Sequence, residues 1–285
     1  MKRLMSLLLC CALLLAAAPV SAEITAYTKC GTHGSAKRLR GRTAIVSVFA
    51  DDTGTGWDFD RRADYERYGE AYHGLRIACE WISAQARTYG VRAEFDWDWY
   101  NHSWLYFRHT FPKNMVTYDN FDYSTYFNYI AKQIPTEDIL RKSGAENILY
   151  IFFFNTPRSN PVGSYACPYA KLENHVCGYE IVCMFTGLFG HTASPGVYAH
   201  EILHLYGVPD LYSENLRYNA TEKFIRDYQR RYPRDIMGGA AGSDNHTVVE
   251  YTFSPLVAYY AGLTSSAADV GSWGLRRSDY ELYGY

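Results

Sequence analysis

The residues best suited to chemistry stand close together in Tyr198-Ala199-His200-Glu201-Ile202-Leu203-His204-Leu205-Tyr206-Gly207-Val208-Pro209-Asp210. On a helix, residues four apart share a face one turn apart, so His200 and His204 can aim imidazole nitrogens at one ion. Glu201, beside the first histidine, can reach a water on that ion without being a ligand, which is where a general base belongs. The remainder of the stretch is apolar: Ile202 and Leu205 continue a stripe from Tyr198, and Leu203 and Tyr206 extend one from Ala199. Such a helix belongs in a core, with its one narrow polar face opening on a cavity. Burying three titratable groups there without a metal or partners would cost roughly several kcal/mol.

Zinc takes a third protein ligand and leaves its fourth position to water. Gly207 can adopt the left-handed conformation that ends a helix and turns the chain sharply. Asp210, three residues on and behind Val208-Pro209, then comes within reach of the ion. A carboxylate at that point completes a His200, His204, Asp210 set around one catalytic Zn2+. The rival third ligands are Glu214 and Glu222, glutamates further along the chain. Glu201 would take a proton from the attacking water and pass it to the leaving amine. Tyr212, His246 and Tyr251 are candidates to share the charge that develops on the carbonyl oxygen.

HEILHLYGVPDLY resembles the extended signature H-E-x-x-H-x-x-G-x-x-[HD] of metzincin-like secreted zinc peptidases. It is most similar to the variants with aspartate as third ligand, the immune inhibitor A-type and snapalysin-type enzymes. Asp235-Ile236-Met237-Gly238 looks like the Met-turn of that group, and Phe253 to Leu263 resembles the helix that closes immune inhibitor A-type catalytic domains. The resemblance covers about Ser194 to Leu263. It implies an α+β zincin fold: a twisted mixed β-sheet with packed helices, an active-site helix, and a Met-turn below the metal. It also implies a zinc-dependent endopeptidase acting on a protein or peptide substrate. The chain departs from the pattern in being short and in having no tyrosine directly after Met237. Two alternative readings use the same residues: a non-catalytic, zinc-stabilised extracellular binding module, and a zinc amidase acting on cell-wall or glycoprotein substrates.

The elements that must position these groups can be read upstream. Thr43 to Ala50 is an apolar β-branched run followed by turn-rich Asp51 to Gly56, hence a buried strand and its exit loop. Tyr65 to Tyr89 carries helical spacing, with Leu75, Ala78, Cys79, Ile82 and Ala86 on one side. Val91 to Tyr100 alternates apolar with polar like a half-buried strand, with Trp97 and Trp99 on it. A second helix runs from about Ser124 to Lys142, perturbed at Pro135 and stopped near Gly144. Asn147 to Asn155 and Tyr179 to Phe185 read as further strands. This β-α-β-α-β order argues for a partly parallel sheet covered by helices. Ser194 as N-cap and Pro195 at the first helical position open the helix of Gly196 to Tyr206. A substrate peptide could add as an antiparallel strand at a sheet edge near Val162 to Ala166.

Residues 1–22 read as a secretory signal peptide: basic Met1-Lys2-Arg3, an apolar run from Leu4 to Ala18, and the small-residue cleavage signal Val20-Ser21-Ala22. Residues 23–285 then form a single catalytic domain, with an N-terminal subdomain of about 40–206 and a C-terminal one of about 207–285. The expected location is secreted and extracellular, with no stable membrane insertion after signal cleavage. A formal charge of −2 over 285 residues argues against a nucleic-acid partner. In an oxidising compartment some of Cys30, Cys79, Cys167, Cys177 and Cys183 are expected to pair, and Cys167 with Cys177 or Cys183 would close a short loop. The sequence specifies neither a structural Ca2+ site nor an oligomeric state.

Overall fold

The computed structural model describes residues 27–29, 38–116, 123–157, 164–167, 170–172, 175–177, 181–185, 192–213, 220–238, 245–265 and 267–275. The expected leader, residues 1–22, lies outside them. Its strands are β1 (Tyr27–Lys29), β2 (Gly41–Asp51), β3 (Ala93–Asp96), β4 (Tyr106–Thr110), β5 (Asn147–Phe154), β6 (Tyr165–Cys167), β7 (Ala170–Leu172), β8 (His175–Cys177) and β9 (Ile181–Phe185). Its helices are α1 (Arg62–Thr88), α2 (Tyr123–Gln133), α3 (Thr136–Ser143), α4 (Pro195–His204), α5 (Glu222–Arg231), α6 (Pro255–Tyr260) and α7 (Ala268–Trp273).

The main sheet has the order β3-β2-β5-β9-β6, with β4 pairing further along the same side of β2 as β3. β2, β3, β4, β5 and β9 run parallel, and β6 is an antiparallel edge strand whose Tyr165 faces Cys183 in register. The chain is therefore a mixed α/β protein with a largely parallel sheet, compatible with the α+β expectation. Parallel strands buried on both faces read as continuous apolar runs, and β5 is one: Phe152, Phe153 and Phe154 have no exposed surface. Phe152 meets Phe111, Tyr126 and Tyr129 on the α2 side, whereas Phe153 stacks on Phe49 at 4.9 Å and meets Tyr198 of α4. Helices α1 and α4 thus share one face of the sheet, with α2 and α3 on the other. β1, β7 and β8 form a separate small antiparallel sheet.

Three expectations require correction. The second helix is two helices, because Pro135 cannot donate to the helical ladder and separates α2 from α3; Gly144, at φ +61°, ends α3 as expected. Trp97 and Trp99 are not on a strand, since β3 ends at Asp96. Asp98 breaks the alternation: its carboxylate accepts from the N–H groups of Tyr100 and Asn101 and builds a turn. Trp99 then buries its ring and donates from Nε1 to Tyr68 Oη at 2.6 Å. Finally, Cys183 is a buried free thiol, which removes the Cys167–Cys183 bridge; the register sets Cys167 opposite Ile181 instead. Side chains of Cys167 and Cys177, the other expected pair, lie outside the described residues. No helix among the described residues is long and apolar enough to cross a membrane.

Candidate metal centre

Helix α4 begins at Pro195 behind the cap residue Ser194, as the sequence suggests. The Ser194 hydroxyl accepts no cap hydrogen bond, however; its backbone carbonyl takes the N–H groups of Val197 and Tyr198. The helix packs against α1 at close range. A Cβ added at Gly74 would stand 2.8 Å from the Tyr198 ring, so glycine permits this approach. Helix α4 stops at His204 and the chain reverses at Gly207, whose φ of +79° is the left-handed conformation expected there. The N–H groups of Gly207 and Val208 return to the carbonyls of His204 and Leu203, closing the helix end.

This geometry gathers His200 (3% exposed), Glu201 (6% exposed) and His204. Each offers a ligand atom, and the three atoms lie within 4.8 Å of one another, a group that could hold a metal ion. The Gly207 reversal also brings Asp210 back to the helix. Asp210 Oδ1 lies 3.0 Å from His200 Nε2 and 3.5 Å from His204 Nε2, while Glu201 Oε2 is 3.9 Å from His204 Nε2. Of the two carboxylates, Asp210 is the closer to both imidazoles.

The other ring nitrogens fix the chemistry. His200 Nδ1 lies 2.9 Å from the Ile236 carbonyl, and His204 Nδ1 lies 2.7 Å from the Val208 carbonyl. A carbonyl only accepts, so each Nδ1 must carry the hydrogen, and in a neutral ring Nε2 presents its lone pair. Those lone pairs face a carboxylate oxygen. Asp210 Oδ1 is buried and has no hydrogen-bond partner, an arrangement that is repulsive until a proton or a cation stands between. Burial alone would lower the His204 pKa, but Asp210 and Glu201 outweigh it and lift it to about 9. Burial likewise opposes the Asp210 carboxylate, yet the two imidazoles hold it far below the usual range. The donor set fits zinc in size. Bonds of about 2.0–2.1 Å in a tetrahedron put neighbouring donors about 3.3–3.4 Å apart, between the two distances found here.

The turn of residues 235–238 touches this cluster through the Ile236 carbonyl. Asp235, Ile236 and Met237 are fully buried. Asp235 Oδ1 accepts from Met237 N at 2.8 Å and Oδ2 from Ser254 N at 2.9 Å. Burial pushes the Asp235 carboxyl up, against the opposing pull of the Ser254 and Tyr228 donors. Ser254 caps α6 by accepting from Val257 N, and its Oγ lies 2.9 Å from Tyr228 Oη of α5.

Other expected residues divide. Tyr212 is 43% exposed, with its ring centroid 6.1 Å from that of His200. Tyr251 instead packs on Gly196 at the start of α4. His246 is exposed. Glu222 opens α5 at the surface and pairs with Arg226, so it is no ligand; Glu214 lies outside the described residues. Of the expected substrate edge, residues 164–166 reach the β6 edge strand, while Val162 and Gly163 lie outside the described residues. Sequence reasoning missed α5, although Thr221 accepts from Phe224 N as an N-cap and Phe224 and Tyr228 recur at helical spacing. It also missed the two carbonyls that orient the histidines, which no side-chain pattern advertises. A separate cavity of about 930 Å³, between α1 and β3 and lined by Arg42, Arg87, Glu94 and Asp96, takes no wall from this cluster.

No protein-family model, curated protein or solved structure matches this chain.

Proposed function

We propose that the chain is a secreted zinc-dependent endopeptidase of metzincin-like fold, with His200, His204 and Asp210 as ligands and Glu201 as general base. The observation that carries this reading is the convergence of the buried Asp210 Oδ1 on His200 Nε2 at 3.0 Å and His204 Nε2 at 3.5 Å, distances suited to one ion. When bound, zinc lowers the pKa of a coordinated water to about 7 and polarises a carbonyl.

The chain's own groups do the rest. The Ile236 and Val208 carbonyls hold both imidazoles in the Nδ1–H form, leaving Nε2 for coordination. Glu201 stands further from the imidazoles than Asp210, at the distance of a group that acts through water. It accepts the water's proton on its carboxylate and returns it to the leaving nitrogen of the scissile amide. The half-exposed Tyr212 borders His200 and can donate its hydroxyl hydrogen towards a carbonyl oxygen in the site. Strand β6, at the open edge of the sheet, offers backbone groups to an extended peptide.

The test is Glu201→Gln assayed on casein. Zinc content should persist, while hydrolysis falls about 100- to 10,000-fold, the range for loss of a general base. Full activity in the variant would remove Glu201 from that role. Zinc retention with no hydrolysis even by the unaltered chain would instead favour a non-catalytic binding module. Cleavage confined to non-peptide amides would favour the amidase reading.

A further inference from the structure

Asp235 belongs to no ligand set, yet it is a fully buried carboxylate joining the 235–238 turn to the cap of α6. Its Oδ1 fixes the 235–238 turn through Met237 N, and its Oδ2 ties that turn to Ser254, the cap of α6. The turn delivers two carbonyls outward. Ile236 O accepts from His200 Nδ1, and Met237 O accepts from Leu211 N at 2.9 Å, the residue next to Asp210. The backbone adds Ile236 N to Thr252 O and Thr252 N to Arg234 O, so the turn is anchored on its far side as well.

We infer that Asp235 is a positioning residue: by clamping the 235–238 turn, it sets the tautomer of His200 through Ile236 and the approach of Asp210 through Leu211. This rests on the metal reading proposed above. One carboxylate thereby governs the first and third ligands from a single side, and His204, oriented by Val208 within its own helix end, is independent of it. Groups in such a supporting layer change metal affinity without touching the ion. An amide in place of Asp235 keeps the shape but turns one acceptor into a donor facing an N–H, which must displace the turn.

The experiment uses Asp235→Asn beside Asp64→Asn, the same exchange at a buried carboxylate in the first turn of α1 that accepts from Asp58 N and makes no bond to the turn. Nitrogen-15 NMR of the metal-free chain at one pH reads the ring nitrogens of His200 and His204, and titration with Zn2+ alone reads affinity. Asp235→Asn should turn the single Nδ1–H form of His200 into a mixture, leave His204 unchanged, and weaken Zn2+ binding about 10- to 100-fold. Asp64→Asn should lower thermal stability with both readouts unmoved. Unchanged tautomer and affinity in Asp235→Asn, or equal changes in both variants, would overturn the inference. Should Asp235→Asn fail to fold, hydrogen exchange in the unaltered chain decides: the amides of Leu211, Met237 and Ser254 should slow together on adding Zn2+, and unrelated rates contradict it. A chain whose His200 tautomer responds but which hydrolyses nothing would retain this inference and lose the peptidase reading.

Discussion

The chain up to β9 and the chain from α4 onward both bury apolar side chains, but they differ in the bonds that position their atoms. The first part is a sheet whose strands bury apolar side chains on both faces, with Phe49, Phe152, Phe153 and Phe154 filling the space under α1 and α2. The second has no strand of that sheet among the described residues, and its helices are short. It too buries apolar side chains, Leu203, Tyr206, Phe224, Leu256 and Val257 among them, and adds directional bonds to a few polar atoms: Asp235 to Ser254 and Met237, Ile236 O to His200, Met237 O to Leu211. Apolar packing is non-directional and tolerates small shifts, whereas a metal site requires its donors fixed within fractions of an ångström. The second part can meet that requirement because specific hydrogen bonds hold both imidazoles and Leu211, the residue next to Asp210.

The contrast predicts graded effects. Phe152→Ala should cost about 3–5 kcal/mol by opening a cavity at the centre of β5, read by denaturant unfolding, with zinc affinity of the folded fraction unchanged. A parallel loss of affinity would mean the two parts are not separable. Gly74→Ala acts where they meet, because its methyl must displace the Tyr198 ring two residues before His200. It should cost about 1–3 kcal/mol and also weaken zinc binding, as a shift of α4 carries both histidines with it. Stability lost without any change in zinc binding would show that α4 repacks without moving the site.

The smallest effect is electrostatic. In the metal-free chain His204 titrates at about 9, lifted by Asp210 and Glu201 against burial. A raised pKa means its stabilising contribution is complete below the ordinary histidine value of about 6.5 and is lost as pH climbs towards 9. Metal-free protein should therefore become less stable from about pH 6.5 to 9. Zinc, which needs the neutral ring, should abolish that decline, and thermal melts with and without Zn2+ across this window read it. A decline that survives zinc would place the ion elsewhere.

Legibility in the sequence followed range. The histidine spacing, the Gly207 reversal and the return of Asp210 involve neighbours within ten residues, and local geometry decided them. β5 was legible because a strand buried on both faces has a continuous apolar sequence. Strand β4, YFRHT, was not, since among the described residues it pairs on one side only and its composition is mixed. The run from Val91 to Tyr100 misled because alternation suits a strand, while the Asp98 side chain prefers to bond its own backbone. The orientation of His200 depends on a carbonyl 36 residues away, and that of Asp235 on a cap 19 residues away, contacts that exist only after folding.

The central claim is tested most directly by X-ray absorption of the zinc-loaded chain together with calorimetric titration of Asp210→Ala. The account predicts one ion per chain with two imidazole nitrogens and a carboxylate oxygen at about 2.0–2.2 Å, and much weaker binding in the variant. Failure of the folded chain to bind zinc, or undiminished binding after loss of Asp210, would contradict it.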